Sequence, residues 1–187
     1  VACSYDAGDA RHECPVSGTS TGTASFKIID ASTVALATAT SNEVTVTVSA
    51  ATAASVKISF DKATYAPNER ARIYVTPLDA SGKEMQSATY SSLLAAGGIA
   101  VNGALSYAGS TTTADSLTAT SYTTAAQTSA TTGARAGSMQ FTVYMPSAGG
   151  VVTLTATGGT ALPLAARTAG GVTASATVTD SGAAALA

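Results

Sequence analysis

The sequence predicts an all-β protein, a β-sandwich with Greek-key connections, on three observations. Apolar and polar residues alternate with period two in run after run. The runs recur at regular spacing, separated by Gly, Pro, Asn and Asp turns. No stretch of helical period carries proper caps, and the nearest approach to one, Ser91 to Ala96, is too short to stand alone.

Composition fits this class. Of 187 residues, Ala (41), Thr (31), Ser (22) and Gly (17) make 111, while Leu, Ile, Val and Phe number only 32. Such poverty in large apolar residues accompanies disorder when net charge is high, but here it is −2. Thr also suits a solvated strand face, being β-branched yet carrying a hydroxyl. With 11% charged residues, one His and no Trp, the chain is a poor candidate for nucleic-acid binding, for most metalloenzymes and for acid/base catalysis near neutral pH. No apolar run is long enough to span a membrane.

Taken in order, residues 3 to 22 read as an irregular Gly/Ser/Thr/Asp-rich loop. Strand patterns follow at Phe26 and Ile28, at Val34 and Leu36, and at Val44, Val46 and Val48. After a small-residue linker, Ala50 to Ala54, come Val56, Ile58 and Phe60, then the turn Tyr65-Ala66-Pro67-Asn68-Glu69. In the next strand Ala71, Ile73 and Val75 face one way and Arg70, Arg72, Tyr74 and Thr76 the other. Asp79 to Lys83 reads as a turn, and Asn102-Gly103 as the type I′ turn of a hairpin from Ile99 to Leu105. Three further strands run from Met139 to Met145, Val152 to Thr157 and Val172 to Thr179.

Gly22 to Ile29 resembles Gly137 to Tyr144, a weak internal repeat. Residues 1–50 therefore read as a disulfide loop plus the last strands of a first module, and residues 51–187 as a complete one. The Ser/Thr/Ala-rich insertion at about 108–136 is either a loop or a long hairpin. The start lacks an initiator Met and a signal-peptide pattern, and the end runs into an Ala/Leu tail. The natural polypeptide is expected to extend in both directions.

Cys3 and Cys14 are near enough in sequence to pair, and a zinc site would need four ligands where only His12 is nearby. A disulfide over that loop contributes roughly 3 kcal/mol by loop entropy. It implies an oxidising compartment, hence a secreted or cell-surface protein.

Asp61-Lys62-Ala63-Thr64-Tyr65-Ala66-Pro67-Asn68-Glu69-Arg70-Ala71, followed by Asp79-Ala80-Ser81-Gly82-Lys83, resembles the opening of bacterial immunoglobulin-like domains. In those, a Tyr-x-Pro-Gly-Glu turn joins the first strands and an Asp-x-x-Gly-Lys turn ends the second. Asn68 stands where Gly is usual, and Asn also accepts the left-handed conformation. The strands from Gly137 to Thr179 look like that family's last three, and the Thr/Ala bias is similar to secreted surface-layer-like proteins of actinobacteria. The resemblance implies an immunoglobulin-like sandwich and leaves function open, since such domains serve as spacers, adhesins and lattice subunits.

Motifs with chemical content are few. Gly18-Thr19-Ser20-Thr21-Gly22 matches G-x-S-x-G, but a nucleophile elbow needs a strand before, a helix after, and a later His. The sole His, His12, precedes Ser20. Asp6, Asp9 and Glu13 cluster in the cysteine loop, where carboxylates could hold calcium or, more commonly, stand solvated beside Arg11. Arg70, Arg72 and Tyr74 share an outward face that could bind by stacking or cation–π contact, or simply be a wet strand face. Asp115 and Asp180 read as turn residues. No catalytic set, cofactor site or definite metal site emerges.

The leading functional expectation is a non-enzymatic structural protein of the cell surface that assembles with itself, as a surface layer or extracellular filament, through unpaired strand edges. The alternatives are an adhesin or carbohydrate-binding module recognising cell-wall or surface glycans, and a passive spacer in a larger surface protein.

Overall fold

The computed structural model describes residues 2–103, 105 and 115–179. It divides into two compact units, Val1–Ser49 and Ala50–Ala187.

The first unit holds four short strands, β1 (Ser4–Asp6), β2 (Arg11–Glu13), β3 (Gly22–Phe26) and β4 (Val44–Val48). β1 pairs with β2, and β3 with β4, both antiparallel. The cysteine segment is thus a hairpin rather than an irregular loop. The Cys3–Cys14 disulfide closes it one residue outside the Ser4↔Glu13 pair, so the covalent link and the ladder constrain the same two segments. Val34 and Leu36, expected in a strand, lie in a 3₁₀ turn. There the backbone is tied by Asp30, whose side chain accepts from the N–H groups of Thr38 (2.9 Å) and Ala39 (3.0 Å) and from the Thr38 hydroxyl. A carboxylate that accepts three hydrogen bonds is stabilised as the anion, and Thr38 and Ala39 together bring Asp30 down to about 2.

The second unit is the sandwich. Its strands are β5 (Ser55–Phe60), β6 (Thr64–Tyr65), β7 (Arg70–Leu78), β8 (Thr89–Tyr90), β9 (Leu94–Val101), β10 (Tyr122–Thr123), β11 (Met139–Tyr144), β12 (Gly150–Gly158) and β13 (Val172–Val178). One sheet has the order β11–β7–β5, the other β6–β13–β12–β9, and β8 pairs separately with β10. All pairs are antiparallel except β6 with β13. The chain passes from β7 to the other sheet at β9, back at β11 and over again at β12, which is the Greek-key crossing the alternation suggested.

Between the sheets the inward residues meet in one core. Ile58, Ile73, Val75, Phe141, Val143, Leu154 and Val178 are buried, and the Phe141 ring stands edge-on to Tyr122 at 5.8 Å. Each fully buried Val, Leu, Ile or Phe stabilises by about 1.5–3 kcal/mol, so these few side chains on single faces supply what composition makes scarce.

Several elements differ from the sequence expectation. The Asn102-Gly103 hairpin does not form, since Asn102 lies outside the positive-φ region that a type I′ turn requires. Instead its side chain extends the β9–β12 ladder, accepting from Thr153 N–H (2.7 Å) and donating to Val151 O (3.2 Å). Ala104, within that expected hairpin, lies outside the described residues. The Ser91–Ala96 run, too short for a helix on sequence grounds, enters β9 through Ser92 at φ 51°. Thr76, expected outward in solvent, is buried because residues after β10 fold over that face, and its hydroxyl bonds Ser138 at 2.7 Å.

Of the 108–136 insertion, residues 108–114 lie outside the described set, as do Asp180 and the Ala/Leu tail. Residues 115–136 pack as covering loop and contain β10.

Candidate functional site

The motif that carries the family resemblance builds a corner. β5 leaves its sheet after Phe60, and β6 joins β13 in the other. Asp61 Oδ1 accepts from the Tyr65 hydroxyl (2.7 Å) and from Arg72 N–H (2.7 Å), while Lys62 N–H donates back to the Tyr65 oxygen (3.0 Å). Asn68 takes φ 60°, the conformation anticipated for it, and the Glu69 side chain accepts from Ala66 N–H (2.8 Å) and pairs with Lys62. That partner and the Ala66 amide hold Glu69 below the usual carboxylate range. Burial, then the Asp61 carboxylate, push the Tyr65 phenol well above its ordinary value. All these groups hold one another, and the cluster leaves none aimed at an open cavity.

Arg70, Arg72 and Tyr74 do share one face of β7, opposite Tyr144, Thr142 and Gln140 of β11. They do not form an open platform. The loop before β11 lies on them: Tyr74 donates to Gly133 O at 2.7 Å, and a Cβ on Gly133 would fall 2.3 Å from the Arg72 guanidinium carbon. Of the trio only Arg70 is exposed. Gln140 Oε1 is buried under the same loop with no hydrogen-bond partner.

Three further tyrosines are engaged as well. Tyr65 and Tyr122 are buried, and Tyr90 and Tyr122 donate to Gln86 O and Ala119 O, each at 2.5 Å. Desolvation raises Tyr122 to about 12. Tyr5 is exposed on the disulfide hairpin, tilted against His12 at 5.2 Å. Tyr107 lies outside the described residues.

On that hairpin the structure brings Asp6, Asp9 and Glu13 together, with ligand atoms all within 4.8 Å of one another. Arg11 sits among them, 2.7 Å from Asp9 and 3.1 Å from Glu13. The guanidinium offsets one of the three carboxylate charges, and all four side chains are exposed.

Ser20 of the G-x-S-x-G match lies in a bend, and the element that follows is β3, not a helix. Asp115, read from sequence as a turn residue, covers the outer edge of β11. Its N–H donates to Thr142 O (2.9 Å) and its Oδ2 accepts from Thr142 N–H (2.7 Å). The first unit also contains an open groove of about 1100 Å³, lined by Cys3, His12, Cys14, Phe26, Ile28 and Ser41 among others. Alternation along the chain puts Phe26 and Ile28 on a common face; it could not show that they stay 41% and 49% exposed.

No protein-family model matches the sequence. No curated protein matches it either. Among solved structures, a glycosyl hydrolase family 2 member from Bacteroides cellulosilyticus DSM 14838 is similar to 93% of this chain at 16% identity, with a TM-score of 0.52. A second structure of a family 2 member from Bacteroides cellulosilyticus is similar over 75% at 18% identity, with a TM-score of 0.44. The chain spans about a fifth of the length of the first of these, 20%. At such identity the first likeness speaks for the fold, an immunoglobulin-like β-sandwich arrangement, and for nothing finer.

Proposed function

We propose that this chain is a non-catalytic, extracellular β-sandwich segment of a larger protein, acting as a spacer that holds other parts in place. The observation that carries this is where the polar and aromatic side chains are spent. Asp61, Lys62, Tyr65, Glu69, Arg72 and Tyr74 all serve the corner or the covering loop. The short share of the solved neighbour that the chain matches supports a module-like role. The disulfide supports an oxidising location. Among the described residues no helix is long and apolar enough to cross a membrane.

Self-assembly into a layer or filament, the leading expectation from sequence, has less to support it in the second unit. Two sheet edges there are already occupied: β11 by Asp115, and β9 by the 117–120 segment, where Ile99 N–H donates to Leu117 O at 2.9 Å and Leu94 N–H to Thr120 O at 3.1 Å. The exposed Lys57 interrupts β5, and an edge lysine opposes strand addition. A carbohydrate-binding role keeps one argument, that the solved neighbour is described as a glycosyl hydrolase, but lacks an open aromatic platform among the described residues.

Sedimentation velocity up to millimolar protein, together with a glycan array, tests the reading. The spacer is expected to show no open-ended growth and no glycan retention. Growth with concentration into a polymer would restore the lattice, and saturable glycan binding lost in Tyr5→Ala or Arg70→Ala would favour the carbohydrate module.

A further inference from the structure

Ala50-Ala51-Thr52-Ala53-Ala54 reads in sequence as a small-residue linker between two parts of the chain. Its side chains are too small to anchor it, so read locally the whole stretch is a free joint. In the structure it belongs to the second unit, which begins at Ala50, and it is fastened at both ends and near its middle. Ala50 N–H donates to Asp79 Oδ2 at 3.2 Å, and Ala54 N–H donates to Leu78 O at 2.8 Å. Between them Ala53 packs against the sandwich core, while Ala51 and Thr52 stay exposed. Both hydrogen-bond anchors lie on consecutive residues at the end of β7. The stretch is therefore a loop closed on one strand end, not a tether.

The Asp79 anchor is itself held from the other side. Its side chain is buried, and Oδ1 accepts from Ser81 N–H (2.8 Å) and Lys83 N–H (2.9 Å) in the turn that follows β7. Its backbone is tied into the same turn, Asp79 N–H donating to Lys83 O and Gly82 N–H to Asp79 O, each at 2.9 Å. A carboxylate enclosed in this way has a fixed direction. Withdrawing the Ala50 N–H would take a donor from a buried charged oxygen, which costs more than losing a hydrogen bond in solvent.

On the side of the first unit the chain is fixed as far as Val48. β4 ends there, with Val48 opposite Gly22 of β3. The Val48 side chain also lies over Gly18, where an added Cβ would fall 2.3 Å from Val48 Cγ2. Packing and the strand ladder thus hold the same residue. Ser49 stands between a fixed Val48 and a fixed Ala50.

We propose that the joint between the two units is Ser49 alone, and that Asp79 is the latch that keeps it this short. With the latch closed, the backbone torsions around a single residue govern how freely the units move. With it open, the slack runs from Ser49 towards Ala53, which adds about 14 Å of extended chain. Two units on a short joint keep their mutual freedom small, and a slack one lets each tumble by itself. The joint is the same whatever the chain does, so the proposal goes beyond the spacer reading and stands or fails without it.

The test is amide relaxation by NMR on the full chain, comparing the local rotational correlation time across β3 and β4 with that across β7 and β12. In Asp79→Ala the β3–β4 value should fall at least about 1.5-fold below its native value, with the β7–β12 amides still dispersed as in a folded sandwich. Two insertions separate slack from any loss of fold. A Gly-Gly pair placed between Ser49 and Ala50 should reproduce the fall. The same pair placed between Ala51 and Thr52, inside the fastened stretch, should leave the native values, because both hydrogen-bond anchors remain. Equal effects of the two insertions overturn the proposal. So does an unchanged β3–β4 value in Asp79→Ala when faster amide exchange at Ala50 shows that the bond is gone.

Discussion

The carboxylate of Asp79 reaches back 29 residues to the backbone of Ala50, accepting its N–H on Oδ2 at 3.2 Å. Its other oxygen accepts from Ser81 N–H (2.8 Å) and Lys83 N–H (2.9 Å), so one side chain closes the turn after β7 and pins the segment that leads into β5. These donors, the Lys83 amide foremost, hold Asp79 below the ordinary carboxylate value. A depressed folded pKa means a stabilising contribution that is complete above the unfolded value, about 3.9, and is lost as pH falls through the folded one. Thermal melts of the native chain and Asp79→Ala between neutral pH and strong acid should therefore converge on acidification, and amide exchange at Ala50, Ser81 and Lys83 should accelerate in the variant at neutral pH.

Tyr65→Phe removes the hydroxyl that links Asp61 to Lys62 N–H while keeping the ring in the core. The expected loss is about 1.5–3 kcal/mol, dominated by the hydrogen bond to the charged Asp61, read from denaturant unfolding of the second unit. Because the Tyr65 phenol is raised, its contribution is present below the ordinary tyrosine pKa and fades as pH climbs above it. The gap between native and variant should narrow in strong alkali.

Leu154 is fully buried, and Leu164, ten residues on, is 81% exposed. Leu154→Ala should cost about 3–5 kcal/mol through lost burial and a residual cavity, and Leu164→Ala no more than about 0.5 kcal/mol. Urea titration of the two variants separates them.

Gly97 and Gly98 sit side by side in β9 at φ 95° and 64°. A Cβ on Gly97 meets nothing within 4 Å, whereas one on Gly98 would lie 2.2 Å from Leu117 O. Gly97→Ala should cost about 1 kcal/mol in backbone strain. Gly98→Ala should cost clearly more and should also raise amide exchange at Ile99, whose partner is that same Leu117 carbonyl.

Reducing Cys3–Cys14 releases a hairpin whose three residue pairs are all exposed. Reductant or Cys3→Ser should increase exchange across Ser4–Asp6 and Arg11–Glu13, with the melting temperature of the second unit unchanged. The loop-entropy contribution at stake is roughly 3 kcal/mol.

Much of this was readable in the chain. Alternation located β5, β7, β11, β12 and β13, and for each it picked the correct inward set: Ile58, Ile73, Phe141, Leu154 and Val178 are all buried. The Tyr-x-Pro-Asn-Glu turn and the left-handed Asn68 followed from local chemistry. The Arg70/Arg72/Tyr74 face was legible as a shared face but not as a covered one, because the covering residues, 128–136, lie more than fifty positions away. Asn102-Gly103 misled for a related reason. Its local preference for a tight turn loses to two hydrogen bonds with β12.

Residue order alone establishes the set of strands and the side of each that is apolar, since a period of two depends only on neighbours along the chain. Which strands pair, and what lies over each apolar face, is settled in three dimensions. Phe26 of β3 and Leu154 of β12 both stand in antiparallel hairpins with period-two alternation, yet one is 41% exposed and the other is sealed. The difference resides in the opposing β-layer, a non-local contact that no stretch of either hairpin encodes.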